Sequence, residues 1–137
     1  SAAAVLAAIE RWPGARVTVV SRSRDRAAGL VARFADVAAL GDDLRSAVDR
    51  ADLVVNATPL GLGDEPGPID PGVLAAGTRV FDLVYRRDGT PWVRAARQRG
   101  LAAVDGVGML LEQGALAFEQ WFGIAPDRAV MRRALTD

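Results

Sequence analysis

Four short segments hold the side chains with chemical capability. Ser21-Arg22-Ser23, with Arg26 just beyond, offers two hydroxyls and two guanidinium forks ahead of a helical stretch. Guanidinium groups bind phosphate bidentately, and a helix N-terminus adds amide donors. A solvated turn in an arginine-rich chain accounts for the same residues equally well. Asn56-Ala57-Thr58-Pro59-Leu60-Gly61 ends an apolar run, where a strand gives way to a loop. Tyr85 closes the run Phe81-Asp82-Leu83-Val84-Tyr85 and is followed by Arg86-Arg87 and Thr90-Pro91. A tyrosine there can reach into a crevice or sit at a boundary with its hydroxyl in water. Asp105-Gly106-Val107-Gly108-Met109-Leu110-Leu111-Glu112-Gln113 opens a long helical pattern. Its glycines permit close approach of backbone to a flat ring. Met109 and Gln113 are four apart and share a helix face. A buried Gln113 amide would need a polar partner, such as a polyol. The plainer reading has Met109, Leu110, Leu116, Phe118 and Trp121 as core and Gln113 exposed.

The missing residue types are as telling. The 137 residues contain no cysteine and no histidine, and every basic residue is arginine. Disulfides, Cys-ligated zinc, Ser-His and Cys-His nucleophiles and a lysine amine are therefore outside this chain's chemistry, and no metal site is expected. Formal net charge is zero, without the broad basic face of a non-specific nucleic-acid binder. No apolar run approaches the roughly 20 residues of a spanning helix. The apolar opening, Ser1 to Ile9, has no basic flank of the kind a signal peptide carries.

These segments must be held by an alternating scaffold. Ser1 can cap a helix through Ile9, which Pro13 and Gly14 end. Arg16–Ser21 reads as a strand, Arg24–Phe34 as a helix, Val37–Leu40 as a weak strand and Asp42–Arg50 as a short helix. Asp52–Thr58 is a strand apolar enough to be buried on both faces. Asp70–Ala75 is a helical turn opened by Pro71, and Thr78–Tyr85 is another buried strand. Thr90, Pro91 and Gly100 punctuate a helix. Leu101–Val104 is a last strand. Helices follow over Gly108–Phe122, stopped by Gly123, and over Pro126–Leu135. Strand and helix alternate without a hairpin signal, which predicts an α/β fold: a doubly wound parallel sheet with helices on both faces. Ligands bind such sheets at the carboxyl edge. In a dinucleotide fold the first strand and its glycine turn would precede the opening helix. Neither is present here, so a first strand is expected to be missing between Arg16–Ser21 and Asp52–Thr58. Arginine after the second strand suits a 2′-phosphate, where an acid would take a free ribose.

From VVSRSRDRA onward, the order of these segments resembles the shikimate dehydrogenases. Their Asn-Arg-Thr, Asn-Ala-Thr, Asp-x-Val-Tyr with Thr-Pro, Asp-Gly-x-x-Met-x-x-x-Gln and Trp-x-Gly motifs recur nearly in full, most specifically at Tyr85 and DGVGMLLEQ. The resemblance implies a Rossmann-like domain over residues 1–106 and C-terminal helices over 107–137 bordering a substrate cleft. It implies an NADP cofactor and the reversible NADPH-dependent reduction of 3-dehydroshikimate to shikimate, a step of aromatic amino-acid biosynthesis. Ser21, Arg22, Ser23 and Arg26 would contact the 2′-phosphate, and Thr58 would lie where the backbone passes the cofactor. Leu83, Gly106 and Met109 would line the nicotinamide, and Tyr85 and Gln113 would touch substrate. No catalytic residue is assigned to this chain, because the family's Lys and Asp lie in an N-terminal domain. The chain alone is therefore expected to be inactive. Ser21 in place of Asn, Pro59 in place of Ser, and Arg86-Arg87 in place of Asn-Pro depart from the pattern. A quinate or quinate/shikimate dehydrogenase stays open, as does a non-catalytic nucleotide-binding module. The resemblance further implies a cytoplasmic protein with no membrane or nucleic-acid partner, and is compatible with a homodimer.

Overall fold

Parallel strands alternate with helices through the computed structural model, which describes residues 2–136. The capping role expected of Ser1 lies outside the described residues. The chain folds as two compact units, Ser1–Ala51 with Val73–Ala75, and Asp52–Gly72 with Ala76–Asp137.

In the first unit, helix α1 (Ala2–Ile9) leads to strand β1 (Val17–Val19), helix α2 (Arg24–Ala32), strand β2 (Ala38–Leu40) and helix α3 (Leu44–Val48). β1 and β2 pair in parallel, Val17 opposite Ala38 and Val19 opposite Leu40. Leu6, Phe34 and Ala38 form the buried centre, with Val17, Val19 and Leu30 against it. The alanine-rich opening is thus a helix because one apolar stripe has a sheet and Phe34 to cover. Asp43 caps α3, its carboxylate accepting from the Ser46 amide at 2.9 Å and the Ser46 hydroxyl at 2.6 Å.

In the second unit, strands β3 (Leu53–Asn56), β4 (Arg79–Asp82) and β5 (Ala103–Val104) form a parallel sheet in the order β3-β4-β5. Pro71 and Gly72 of this unit open the 3-10 turn Pro71–Val73, whose last residue belongs to the first unit. Helix α4 (Pro91–Gln98) starts at its Thr90 cap with Pro91 in the first turn, as the sequence predicts, and buries Trp92, Val93 and Ala96. Helix α5 (Val107–Phe122) ends at Gly123, whose φ of 70° closes it in the left-handed region that glycine adopts without strain. Helix α6 (Arg128–Thr136) is tied to α5 by an Arg128–Glu112 ion pair of 3.1 Å.

Every expected element is present, but the strands are shorter than their apolar runs. Arg16–Ser21 contributes three strand residues and Thr78–Tyr85 four. A ladder lasts only as long as its neighbour runs alongside, and the apolar residues beyond it pack as loop. No ladder joins β1 to β3 among the described residues, so the parallel strands form two sheets. No helix is long and apolar enough to cross a membrane among the described residues.

Candidate functional site

The chemistry of the second unit is organised by Asp82, a carboxylate at the last position of β4 with no exposed surface. An acid placed so deeply is costly unless donors surround it, and here they do. Asp82 Oδ1 accepts from Asn56 Nδ2 at 2.8 Å and from the Val84 amide at 3.1 Å. Asp82 Oδ2 accepts from the Thr90 hydroxyl at 2.7 Å. Hydrogen bonds to an ionised acceptor are the stronger kind.

Asn56, 1 % exposed, carries the network into the loop after β3. Its second amide hydrogen goes to the Leu60 carbonyl at 2.9 Å. Its oxygen accepts from the Thr58 amide at 3.0 Å and the Thr58 hydroxyl at 2.6 Å. Thr58 Oγ1 in turn accepts from the Leu60 amide at 3.2 Å. Gly61 then turns with φ 95°, and a β-carbon there would lie 3.6 Å from Asp82 Oδ2. Thr90, fully buried, accepts from the Val93 amide at 3.2 Å while donating to Asp82, so one hydroxyl caps α4 and binds the acid. No buried side-chain nitrogen or oxygen is left without a partner among the described residues.

The end of β4 is fixed from both sides. The Leu83 amide donates to the Asn56 carbonyl at 3.0 Å, and the Val84 carbonyl accepts from the Gly106 amide at 3.0 Å. A β-carbon on Gly106 would fall 2.4 Å from the Leu83 carbonyl oxygen. The glycine is required by this backbone approach itself, whereas a β-carbon on Gly108 would meet open space. Tyr85 emerges from this clamp half exposed. Leu83 and Met109 are partly buried, and Thr58 and Gln113 are exposed. Neither the Tyr85 nor the Gln113 side chain makes a hydrogen bond among the described residues, and the Gln113 side-chain amide stands in solvent rather than in the core. Leu116 and Trp121 are exposed as well, so the reading of this stripe as core fails for those two.

The loop from Leu60 to Pro71 is held at two further points. Arg86 donates to the Gly63 carbonyl and pairs with Asp64 at 3.0 Å, and Trp92 Nε1 donates to the Ile69 carbonyl at 2.8 Å.

In the first unit, Ser21, Arg22, Ser23 and Arg26 are all exposed where β1 leads into α2. Ser23 is the N-cap residue of α2 but makes no side-chain capping bond, and Ser21 Oγ accepts from the Ser23 amide at 3.2 Å. Arg24 is engaged with Asp42 at 3.0 Å, whereas Arg22 and Arg26 have no ion pair among the described residues. The helix therefore presents uncapped amides beside two uncommitted guanidinium groups, with Asp25 the acid of its first turn.

The sequence reading reached Thr58, Leu83, Tyr85 and Gly106 but missed Asp82 as the hub joining them. A charge inside an otherwise apolar strand run was the available signal.

Parallel strands, helical crossovers and polar groups gathered at a strand's carboxyl end define a Rossmann-like α/β protein. Residues 106–136 match the shikimate 5'-dehydrogenase C-terminal domain model. The chain is 41 % identical over 129 residues to the shikimate dehydrogenase (NADP(+)) of Methanocella arvoryzae, covering 90 % of this chain and 48 % of that protein. It superposes with a TM-score of 0.74 and 35 % identity on the shikimate 5-dehydrogenase of Thermus thermophilus in complex with NADP(H) and shikimate, over 89 % of this chain and 46 % of that one. Against the quinate dehydrogenase of Corynebacterium glutamicum in complex with NAD, the TM-score is 0.83 at 29 % identity, over 96 % and 49 % of the two chains. The chain is similar to the shikimate dehydrogenases over most of its own length and spans about half the length of the curated relatives it matches.

Proposed function

We propose that this chain is the nucleotide-binding half of an NADP-dependent shikimate dehydrogenase. In the whole enzyme it serves the reversible reduction of 3-dehydroshikimate to shikimate. The observation that carries the cofactor reading is the start of α2, with free amides, the Ser21 and Ser23 hydroxyls, and Arg22 and Arg26 uncommitted. That donor set fits a 2′-phosphate, and no acid among Ser21–Ser23 competes for a ribose hydroxyl. The backbone at Thr58 then passes the cofactor, Leu83, Gly106 and Met109 border the nicotinamide, and Tyr85 and Gln113 address the polyol. Residues 1–106 act as the dinucleotide-binding domain, and the helices of 107–137 border the substrate cleft. The bound cofactor supplies the hydride; this chain's residues bind and orient. Lacking lysine and histidine, the 137 residues alone turn over no substrate. A cytoplasmic location, a homodimer and the absence of membrane or nucleic-acid partners belong to the same reading.

Arg22→Ala tests it. Losing a charge-assisted phosphate contact should weaken NADP about 10- to 150-fold and leave NAD nearly unchanged. Equal loss for both cofactors in a titration rules out the 2′-phosphate role. A second reading, quinate dehydrogenase, is favoured by the fold match to that enzyme. Rates with shikimate and quinate, each with NADP and NAD, separate the two.

A further inference from the structure

We propose that Asp82 is a positioning residue for the substrate edge, setting the geometry of Tyr85 and the Thr58–Gly61 loop through Asn56 and Thr90. The inference rests on the dehydrogenase reading above and adds a role to a residue with no exposed surface.

Three chain segments come to this carboxylate: the loop after β3 through Asn56, the end of β4 through the Val84 amide, and the start of α4 through Thr90. Each contact has a fixed direction. Asn56 spends both amide hydrogens, on Leu60 and on Asp82, so its oxygen is left to accept from Thr58. Thr90 gives its one hydroxyl hydrogen to Asp82 and so must accept from Val93. Asp82 accepts in all three bonds, which an ionised carboxylate does and an amide cannot. In Asp82→Asn one face would present two hydrogens to the Thr90 hydroxyl or to Asn56. The shape would be kept and the direction of the network broken. Tyr85 leaves β4 directly after the residue whose amide is held by Asp82 and whose carbonyl is held by Gly106. A shift of that peptide moves the tyrosine, and small misplacements of a binding group are expensive in rate.

The test is made in the full-length enzyme, with Asp82→Asn, Thr90→Val and Thr90→Ser. Each folded variant is assayed for shikimate KM, kcat and binding of 2′,5′-ADP, which probes the 2′-phosphate site of the first unit alone. Asp82→Asn should raise KM or lower kcat about tenfold, the scale of losing one hydrogen bond to a charged group. Thr90→Val should do so by a smaller factor, and Thr90→Ser should restore wild-type values. 2′,5′-ADP binding should be unchanged throughout. A purely structural role would lower Tm and leave KM and kcat of the folded enzyme alone, and that result overturns the proposal. Should Asp82→Asn fail to fold, unchanged kinetics in folded Thr90→Val overturn it equally. A wild-type enzyme inactive on shikimate sinks the dehydrogenase reading and this role with it, whereas an active wild type with indifferent variants sinks the role alone.

Discussion

Gly67 lies flat against Trp92: a β-carbon on Gly67 would fall 2.1 Å from Trp92 Cγ, in a place the indole already fills. Trp92 is 1 % exposed, and its Nε1 reaches the Ile69 carbonyl two residues further along the same loop. The loop is thus seated on α4 by shape and by one hydrogen bond. Gly67→Ala should destabilise the protein by about 1–3 kcal/mol, the range for forcing a methyl into packed space. Trp92→Phe should cost about 1–3 kcal/mol through the unpaired Ile69 carbonyl and the lost ring volume. Denaturant melts of both variants check this, and a Gly67→Ala midpoint equal to wild type would show that the loop lifts freely.

Gly106→Ala should be worse tolerated than Gly108→Ala. At Gly106 the new methyl meets a backbone oxygen, which cannot swing away as a side chain can, while at Gly108 it meets nothing within 4 Å. Gly108→Ala should even gain a little, by about 0.5–1 kcal/mol, because alanine is the better residue inside a helix. Thermal melts giving the opposite order would refute the close approach of β4 to the start of α5.

The side chains of Tyr85 and Gln113 carry no internal hydrogen bond among the described residues and are exposed to a ligand. In the full-length enzyme, Tyr85→Phe and Gln113→Ala should raise shikimate KM or lower kcat, each by about 5- to 30-fold for a bond worth 1–2 kcal/mol. NADP affinity should hold. Loss of NADP affinity with unchanged shikimate kinetics would move both residues from the substrate to the cofactor.

The Ser46 hydroxyl, and after it the Ser46 amide, hold the Asp43 carboxyl below its ordinary value. A carboxyl depressed on folding favours the folded state above its unfolded pKa of about 3.9. That contribution fades as pH falls through the lower folded value. Asp43→Asn should therefore be the less stable protein at neutral pH. Its deficit should shrink below about pH 4. Urea melts across pH 2–7 would show this, and a deficit constant over that range would exclude the cap as its source.

Element type was readable from periodicity and punctuation: Thr90-Pro91 started a helix and Gly123 ended one where each was expected. Strand length was not, because it depends on how far the neighbouring strand runs, a property of pairs rather than of either segment. The motif segments were readable as segments, yet their internal wiring was hidden. Asn56, Asp82 and Thr90 are 26 and 8 positions apart in successive steps, and only the parallel register of Asn56 opposite Asp82 brings the first two together. The inward face of α5 was hidden for a related reason. A helical period fixes which residues share a face but not which face the sheet covers, and α5 buries Leu111 and Ala115.

The closed circuit around Asp82 has a kinetic side. Because each hydrogen there is already committed, water cannot replace the bonds one at a time without orphaning a buried group. Opening must release the loop after β3, the end of β4 and the first turn of α4 together. Those stretches should behave as one cooperative unit, opening rarely and all at once, while the exposed C-terminal end of α5 frays on its own. The edge proposed to meet the substrate would then be among the last parts of the second unit to loosen on warming.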